Sequence, residues 1–401
     1  GAFPIGMMKL LVKVYTRLEP RFDSQRAKLQ IVERNIYGVD IEPMAVEITR
    51  LRAWLSLIVD SEDRQSAVKP LPNLDFKFVC ADSLNGLAQT DILPFGEDAD
   101  LDIKLQELRA QYFSTASEQK KAKLKAQYKE IVDEEETLFG ESDRARQLKS
   151  YRPFDSGSVS EFFDSEHMFG VTRFDAVIGN PPYVAPKGLD STTRKKLEMR
   201  FGFVDDLYSH FFFHGFDLLS KGGNLSYISS KTFWTIQTKK NLRELLLSKQ
   251  LDYVYDTSNP FDSAMVDTCI VMASQESPGR KARFLSKGES YALPTSIGFF
   301  QELFESTVNN VFFPPTRANL EIHRKFNEPL KRLMTEWWPR IRTSAEKSKH
   351  RELIGEYTQT LEAGHLALLG TVVDSGQGMA TGNNGKYLGV LASSKLAVKT
   401  K

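Results

Sequence analysis

The sequence predicts an α/β fold built on a mostly parallel sheet, and three short stretches carry that prediction. Residues 36–43 (Ile-Tyr-Gly-Val-Asp-Ile-Glu-Pro), 76–84 (Phe-Lys-Phe-Val-Cys-Ala-Asp-Ser-Leu) and 174–184 (Phe-Asp-Ala-Val-Ile-Gly-Asn-Pro-Pro-Tyr-Val) each run from an apolar strand into an acid or an amide. Strands of this kind separated by helical periodicity are the pattern of parallel strands joined by crossover helices. Polar tips on such strands gather at the carboxyl edge of the sheet, where open α/β folds bind their ligands.

The first strand ends at Asp40, and Met44, Ala45, Ile48, Leu51, Trp54, Leu55 and Ile58 follow at helical spacing behind Pro43. In a Rossmann-like unit an acid in this position accepts hydrogen bonds from both ribose hydroxyls of an adenosine cofactor; Asp40 is the first candidate and Glu42 the second. Capping of the helix is the alternative use of either acid. The second strand alternates apolar residues and ends at Asp82, which is either a second ligand-binding acid or an ordinary turn residue. Residues 98–152 are highly charged and carry two helical stripes, Leu101/Leu105/Leu108/Tyr112 and Leu124/Tyr128/Ile131, which predict a helical hairpin projecting from the sheet. Residues 174–179 read as a buried parallel strand. An amphipathic helix is expected to open at Asp205-Asp206-Leu207-Tyr208 and to stop at Lys221-Gly222, ahead of a strand at residues 225–229. Two more strands are expected at 251–256 and 268–273, with the loop 260–267 between them. From Phe299 to about residue 369 the pattern is helical, with Trp337 and Trp338 as anchors, and residues 374–388 form a glycine-rich hairpin, turn or linker.

Asn180-Pro181-Pro182-Tyr183 carries the most chemistry. An exocyclic amine on a heterocyclic base is a poor nucleophile, because its lone pair is delocalised into the ring. Acceptors for both amine hydrogens, the Asn180 side-chain carbonyl and a main-chain carbonyl near Pro181, favour the pyramidal nitrogen that attacks a methyl group. The prolines lack an N–H and fix φ, so the carbonyls stay aimed. Tyr183 supplies a stacking surface for a base that has left its duplex, an extrusion costing a few kcal/mol. A strand-ending loop or a proline-rich ligand motif is the plainer reading of the four residues.

The tetrapeptide resembles the catalytic motif of the amino-methyltransferases that act on adenine N6 in DNA. The order of the segments is similar to that of the gamma class of these enzymes, especially the methyltransferase region of large single-chain, type IIG-like restriction-modification or phage-exclusion proteins. The resemblance implies a Rossmann-like S-adenosylmethionine-dependent methyltransferase sheet, with a helical insertion and a mainly helical C-terminal extension. It implies S-adenosylmethionine as cofactor, double-stranded DNA with a flipped-out adenine as partner, and a prokaryotic cytoplasmic setting. By the same resemblance Asn180, Pro181, Pro182 and Tyr183 are catalytic, and Gly1, Asp40, Ile41, Asp82, Ser83, Asn180 and Leu207 bind cofactor. Tyr183 and Phe261 would stack on the base, and no metal is implied. Gly1 matches only the last glycine of the family's loop. The expectation is therefore that the first strand and most of that loop lie outside this chain, that the chain alone is inactive, and that nuclease and target-recognition domains lie elsewhere. The implied divisions are 1–97 and 153–298 for the methyltransferase, 98–152 for the insertion, and 299–401 for the extension, which leads to a truncated recognition region.

Composition agrees. The 401 residues, 41% hydrophobic and 26% charged, suffice for one large core and a second smaller unit. With 53 Lys and Arg against 52 Asp and Glu the net charge is +1, so a DNA surface has to be local. Lys187, Arg194, Lys195, Lys196 and Arg200 are the nearest basic cluster to the motif, and also read as a solvated helix face. Cys80 and Cys269 fall in expected strands and read as core residues of a reduced protein. No apolar run is long enough for a membrane span. His210 and His214, four apart, read as plain helix positions without a third metal ligand. Methylation of an rRNA base or a protein glutamine, and a non-catalytic scaffold on the same fold, are the alternative functions.

Overall fold

The structure, a computed structural model, describes residues 1–18, 24–58, 72–88, 97–139, 142–258, 260, 266–286, 295–337, 339–340, 349, 352–353, 355–356 and 359. In chain order the elements are α1 (Ala2–Leu18), α2 (Ser24–Arg34), β1 (Gly38–Asp40), α3 (Pro43–Ile58), β2 (Phe78–Cys80), α4 (Glu97–Ser114), α5 (Glu118–Phe139), α6 (Asp143–Ser150), α7 (Ser165–Phe169) and β3 (Phe174–Gly179). There follow α8 (Ser191–Phe201), α9 (Leu207–Asp217), β4 (Leu219–Ser230), α10 (Lys240–Leu247), β5 (Gln250–Ser258), β6 (Thr268–Ser274), β7 (Ala282–Ser286), β8 (Thr295–Phe299), α11 (Glu302–Glu305) and α12 (Arg317–Arg332). One compact unit holds everything through residue 305 together with 309–315; residues 306–308 and those from 316 onward belong to a second, of which α12 is the main described element.

The strands form two sheets. β1 and β2 make a parallel pair with Asp40 opposite Cys80. The other six run in the order β3-β4-β6-β5-β7-β8, with β3 parallel to β4 and β6 antiparallel to both β4 and β5. The α/β class is as the sequence predicts. The expected burial of β3 is not what forms: among the described residues its one ladder partner is β4, and Asp175, Ala176 and Ile178 (42% exposed) face outward. An edge strand buries less than a central one because one side has no neighbour.

Three apolar cores support these sheets. Tyr208, Phe212 and Phe216 of α9 pack with Leu225, Val254 and Val271 of β4, β5 and β6. The stripes of the charged insertion are also buried: Leu105, Leu108 and Tyr112 of α4 and Leu124, Tyr128 and Ile131 of α5 close over Phe76 and Val79, so the hairpin packs on β2 instead of projecting. A third cluster joins Met8, Ile31, Val46, Ala53, Leu57 and Phe78. Fully burying one such side chain contributes about 1.5–3 kcal/mol.

Helical spacing identified α3 but pointed to the wrong face. Val46, Thr49, Arg50, Ala53 and Leu57 turn inward, while Met44 (65% exposed), Ile48, Leu51, Leu55 and Ile58 turn outward. Arg50 explains the choice: its guanidinium donates to the Phe78 carbonyl at 2.7 and 3.2 Å and pairs with Glu47 at 2.7 Å, which ties that face to β2. The segment after Asp205 also differs from expectation. The helix starts at Leu207 and ends at Asp217, and the strand begins at Leu219, six residues early. Gly222 is thus not a helix terminator; with φ +77° it sits in a bulge where residues 220–223 of β4 loop out between the Phe174–Leu219 and Ala176–Asn224 pairs. A Cβ on Gly223 would stand 3.0 Å from the Phe174 carbonyl oxygen. β7 and β8 were not expected, and Phe299 closes a strand instead of opening a helix. Trp337 lies beneath Arg340, 5.0 Å from ring centre to guanidinium; Trp338 and residues 374–388 fall outside the described residues.

Candidate active site

Asn180 leaves the end of β3, where Gly179 sits close against the Tyr227 ring: a Cβ there would lie 3.1 Å from it. Asn180 is exposed, Pro181 buried, Pro182 exposed and Tyr183 half-buried. The Tyr183 hydroxyl donates to Asn180 Oδ1 at 3.1 Å, so the two side chains hold one another across the prolines. Burial pushes the Tyr183 phenol up to about 12, with the neighbouring Cys269 adding to the effect, and the hydroxyl stays a donor at any ordinary pH.

The loop rests on α9. Leu207 donates its backbone N–H to the Val184 carbonyl at 2.9 Å, which places Leu207 directly beside the motif. The Tyr183 ring meets Tyr208 edge-on at 6.0 Å and 88°. Tyr208 is fully buried, and its hydroxyl pairs with Thr232 Oγ1 at 3.1 Å, which in turn pairs with Ser230 Oγ at 2.9 Å at the end of β4. The start of α9 is anchored electrostatically: Lys239 is buried between Asp205, an intimate pair, and Asp206, 2.9 Å away. Ser209 Oγ donates to the second oxygen of Asp205 at 2.8 Å. Sequence periodicity gave no sign of Lys239; the adjacent acids Asp205 and Asp206 at a helix start were the one hint that a buried cation was needed.

The other acids sit together on the β1–β2 pair. Ala81 donates to the Asp40 carbonyl at 3.0 Å and Cys80 Sγ contacts the Ile41 carbonyl at 3.5 Å. Asp40 Oδ1 accepts from Glu42 N–H at 3.0 Å, so Asp40 braces the turn into α3 with one oxygen, while its side chain remains exposed. Ile41 beside it is 61% exposed and offers a bare apolar surface next to the acids. Asp82 is half-buried, with Oδ1 accepting from Leu84 N–H at 3.2 Å; burial raises its pKa, opposed by the Leu84 hydrogen bond and by the charges of Lys196 and Arg200. Ser83 follows in the same half-buried turn. Gly1 lies against α3, where a Cβ would meet Thr49 Oγ1 at 3.0 Å. Phe261 is outside the described residues.

Two groups therefore form: Asn180, Pro181, Pro182, Tyr183 and Leu207 on the six-stranded sheet, and Asp40, Ile41, Asp82 and Ser83 on the two-stranded one. The basic cluster divides as well. Lys187, Arg194, Lys195 and Lys196 are exposed; Arg200 is exposed as well, but its guanidinium bonds to the Leu84 carbonyl at 2.6 Å and to His214 Nδ1 at 2.8 Å. Both histidines of α9 are buried: His210 accepts from Asp205 N–H at 3.0 Å and lies between Phe201 and Phe203. A separate cleft lined by Glu47, Arg50, Asp75 and Tyr151 contains none of the candidate acids or the motif. Cys269 is buried and Cys80 half-buried, both as free thiols. Among the described residues no cluster of His, Cys, Asp and Glu is arranged to hold a metal, and no helix is long and apolar enough to cross a membrane.

Comparison with known proteins gives a family for this arrangement. The model described as Eco57I restriction-modification methylase matches residues 34–262, more than half of the chain, a span that includes Asp40, Asp82 and Asn180–Tyr183. A putative type II restriction enzyme and methyltransferase of Methanocaldococcus jannaschii is 28% identical over 351 residues, covering 69% of this chain and 29% of that protein. The type II methyltransferase M.BstVI of Geobacillus stearothermophilus is 33% identical over 97 residues, covering 23% of this chain and 17% of that one. This chain thus spans less than a third of the length of either relative. Similar solved structures include the type IIL restriction-modification enzyme MmeI in complex with DNA, at 12% identity, 74% of this chain, 39% of that chain and a TM-score of 0.39. The type IIG restriction endonuclease BpuSI is similar at 14% identity, 87% of this chain, 41% of that chain and a TM-score of 0.34.

Proposed function

The chain belongs to the Eco57I restriction-modification methylase family, and from that premise we propose, for the intact enzyme, methyl transfer from S-adenosylmethionine to the N6 amine of an adenine turned out of a DNA duplex. The observation that carries the reading is the Asn180–Tyr183 loop at the tip of β3, stiffened by two prolines and by the Tyr183–Asn180 hydrogen bond.

The residues fit such a cofactor in their chemistry. Asp40 has an exposed carboxylate suited to ribose hydroxyls, Ile41 an exposed apolar face for a purine, and Asp82 a half-buried acceptor for an exocyclic amine. Leu207 beside the motif, Ser83 beside Asp82, and Gly1 belong to the same reading. When bound, S-adenosylmethionine would supply an electrophilic methyl on a sulfonium and leave as the neutral thioether, the amine proton passing through its hydrogen-bonded acceptors to water. Asn180 Oδ1 and the Pro181 carbonyl accept the amine hydrogens and favour its pyramidal form, a preference greatest in the transition state. The Tyr183 hydroxyl fixes which way the Asn180 amide points, and the Tyr183 ring, with Phe261, stacks on the base. Exposed Lys187, Arg194, Lys195 and Lys196 suit nearby phosphates. Nuclease and target-recognition domains, and the divisions at 97, 152 and 298, belong to the same proposal.

The test is Asn180→Ala. Loss of one preorganised group is expected to lower methyl transfer to DNA by about 10²–10³-fold, with S-adenosylmethionine affinity within a few-fold of wild type. Near-wild-type turnover in the variant would overturn the assignment, as would a wild-type enzyme that methylates rRNA or a glutamine peptide and leaves DNA unmodified.

A further inference from the structure

Tyr183 is held at both ends of its ring, and one freedom stays open. Its Cβ and its hydroxyl oxygen lie on the long axis of the ring. A hydroxyl that donates to Asn180 Oδ1 at 3.1 Å therefore fixes the direction of that axis but not the rotation about it. The rotation decides which way the flat face points, and this torsion is intrinsically broad in tyrosine. A lateral contact has to set it. Tyr208 of α9 supplies one, meeting the Tyr183 ring at 6.0 Å between centres and 88° between planes, an edge-to-face arrangement that aromatic quadrupoles favour. Tyr208 is itself fixed. It is fully buried in the core with Phe212 and Leu225, and its hydroxyl pairs with Thr232 Oγ1 at 3.1 Å. The Lys239 ammonium, held by Asp205 and Asp206, lies over the Tyr208 ring at 5.7 Å from its centre. One residue earlier on α9, the Leu207 N–H holds the Val184 carbonyl at 2.9 Å. The first turn of α9 thus grips the backbone beside the motif and sets the plane of its ring together.

We propose that Tyr208 is a positioning residue for the methyl-acceptor base: its ring edge sets the plane of Tyr183, and so the plane in which the base stacks. The proposal rests on the methyltransferase reading given above, with Tyr183 as the stacking surface. Stacking needs face against face, and a Tyr183 ring turned about its long axis presents its edge to the base instead. The hydrogen bond to Asn180 survives that turn, because the hydroxyl oxygen lies on the axis. Asn180 can therefore keep its orientation while the base loses its platform. Holding the ring in one plane before the base arrives removes an ordering cost that binding would otherwise carry.

The test uses the intact enzyme and a duplex in which 2-aminopurine replaces the adenine that it methylates, a base that brightens on leaving the stack and dims again against an aromatic ring. Tyr208→Leu removes the edge contact. It is expected to lower methyl transfer to the ordinary duplex about tenfold, within what base–aromatic stacking contributes. The bound 2-aminopurine should be brighter than in wild type, with S-adenosylhomocysteine affinity within a few-fold. Tyr208→Phe keeps the ring and should recover most of the rate and of the quenching. In a Tyr183→Leu background, Tyr208→Leu should add no further loss, because its effect passes through the missing ring. Tyr208→Met carries the same test if Tyr208→Leu does not fold. Equal quenching in wild type and the ring-less variant, or a full further loss in the Tyr183→Leu background, would overturn the proposal. A wild type that methylates no DNA would instead remove the functional reading beneath it.

Discussion

Three histidines make the stability of this fold sensitive to mild acid. His167, His210 and His214 are buried, and burial is the leading cause that pushes their pKa values down, to about 3, 4 and 3; Arg109 and Arg144 add to the effect at His167, and Arg200 at His214. In the unfolded chain each returns to about 6.5. Between the folded and unfolded values the unfolded state binds more protons, so stability rises with pH through that window and is lost as pH falls below 6.5. Lowering the pH from 7 to 5 removes about 2 kcal/mol for each histidine, or roughly 6 kcal/mol for all three. That is comparable to the whole stability of many domains. Urea unfolding followed by tryptophan fluorescence at pH 7 and pH 5 measures the loss directly, and the expectation is a large fall in the midpoint with an unchanged slope. His210→Gln, which keeps an acceptor for Asp205 N–H, should remove about a third of the pH dependence. A midpoint that is flat between pH 7 and 5, or a slope with pH that survives replacement of the histidines, would refute the claim that they are held neutral.

Lys239→Met strands the Asp205 and Asp206 carboxylates at the start of α9 and is expected to destabilise by about 3–5 kcal/mol, with Asp205→Asn in the same chain recovering part of the loss; a urea midpoint within error of wild type would show that the pair is not needed. Gly215→Ala places a Cβ 2.6 Å from Leu225 Cδ1 and 2.7 Å from the Tyr227 hydroxyl. Overpacking of about 1–3 kcal/mol should outweigh the roughly 1 kcal/mol gained in helix propensity, and because Tyr227 also underlies Gly179, methylation should fall with stability; a variant as stable as wild type would contradict the close fit of α9 on β4.

What the sequence made legible follows a physical rule. The tips of β1, β2 and β3 could be read because each packs apolar residues into a run and then breaks it with a polar residue, and Asp40, Asp82 and Asn180 lie where those breaks fall. The insertion stripes could be read because Leu105, Tyr112, Leu124 and Tyr128 obey helical spacing against an otherwise charged background. The face of α3 could not, because both sides of that helix carry apolar residues and the decision is made by Arg50, a charged residue that buries itself to reach the Phe78 carbonyl. The bulge at Gly222 was mistaken for a helix stop because glycine with positive φ serves both purposes, and only the pairing of β4 with β3 distinguishes them. Arg200 was grouped with its lysine neighbours on spacing alone; its partners at Leu84 and His214 are 116 and 14 residues away and leave no local trace.

The support beneath Asn180 has a direction. Backbone and ring contacts run from the motif to Leu207 and Tyr208, from Tyr208 to Thr232 and Ser230 at the end of β4, and from the start of α9 through Asp205 and Asp206 to Lys239. Every one of these residues belongs to the six-stranded half of the fold, and their apolar partners form one continuous core. The acids at 40 and 82 draw instead on β1–β2 and two other clusters. The cores meet at β3, whose Phe174 packs against Tyr37 and Phe169 of the second cluster, so the strand that carries the motif is braced from both sides. Proximity effects are steep, since misplacement by about 1 Å can cost on the order of 10²-fold in rate. A substitution in either core should therefore lower stability and rate together.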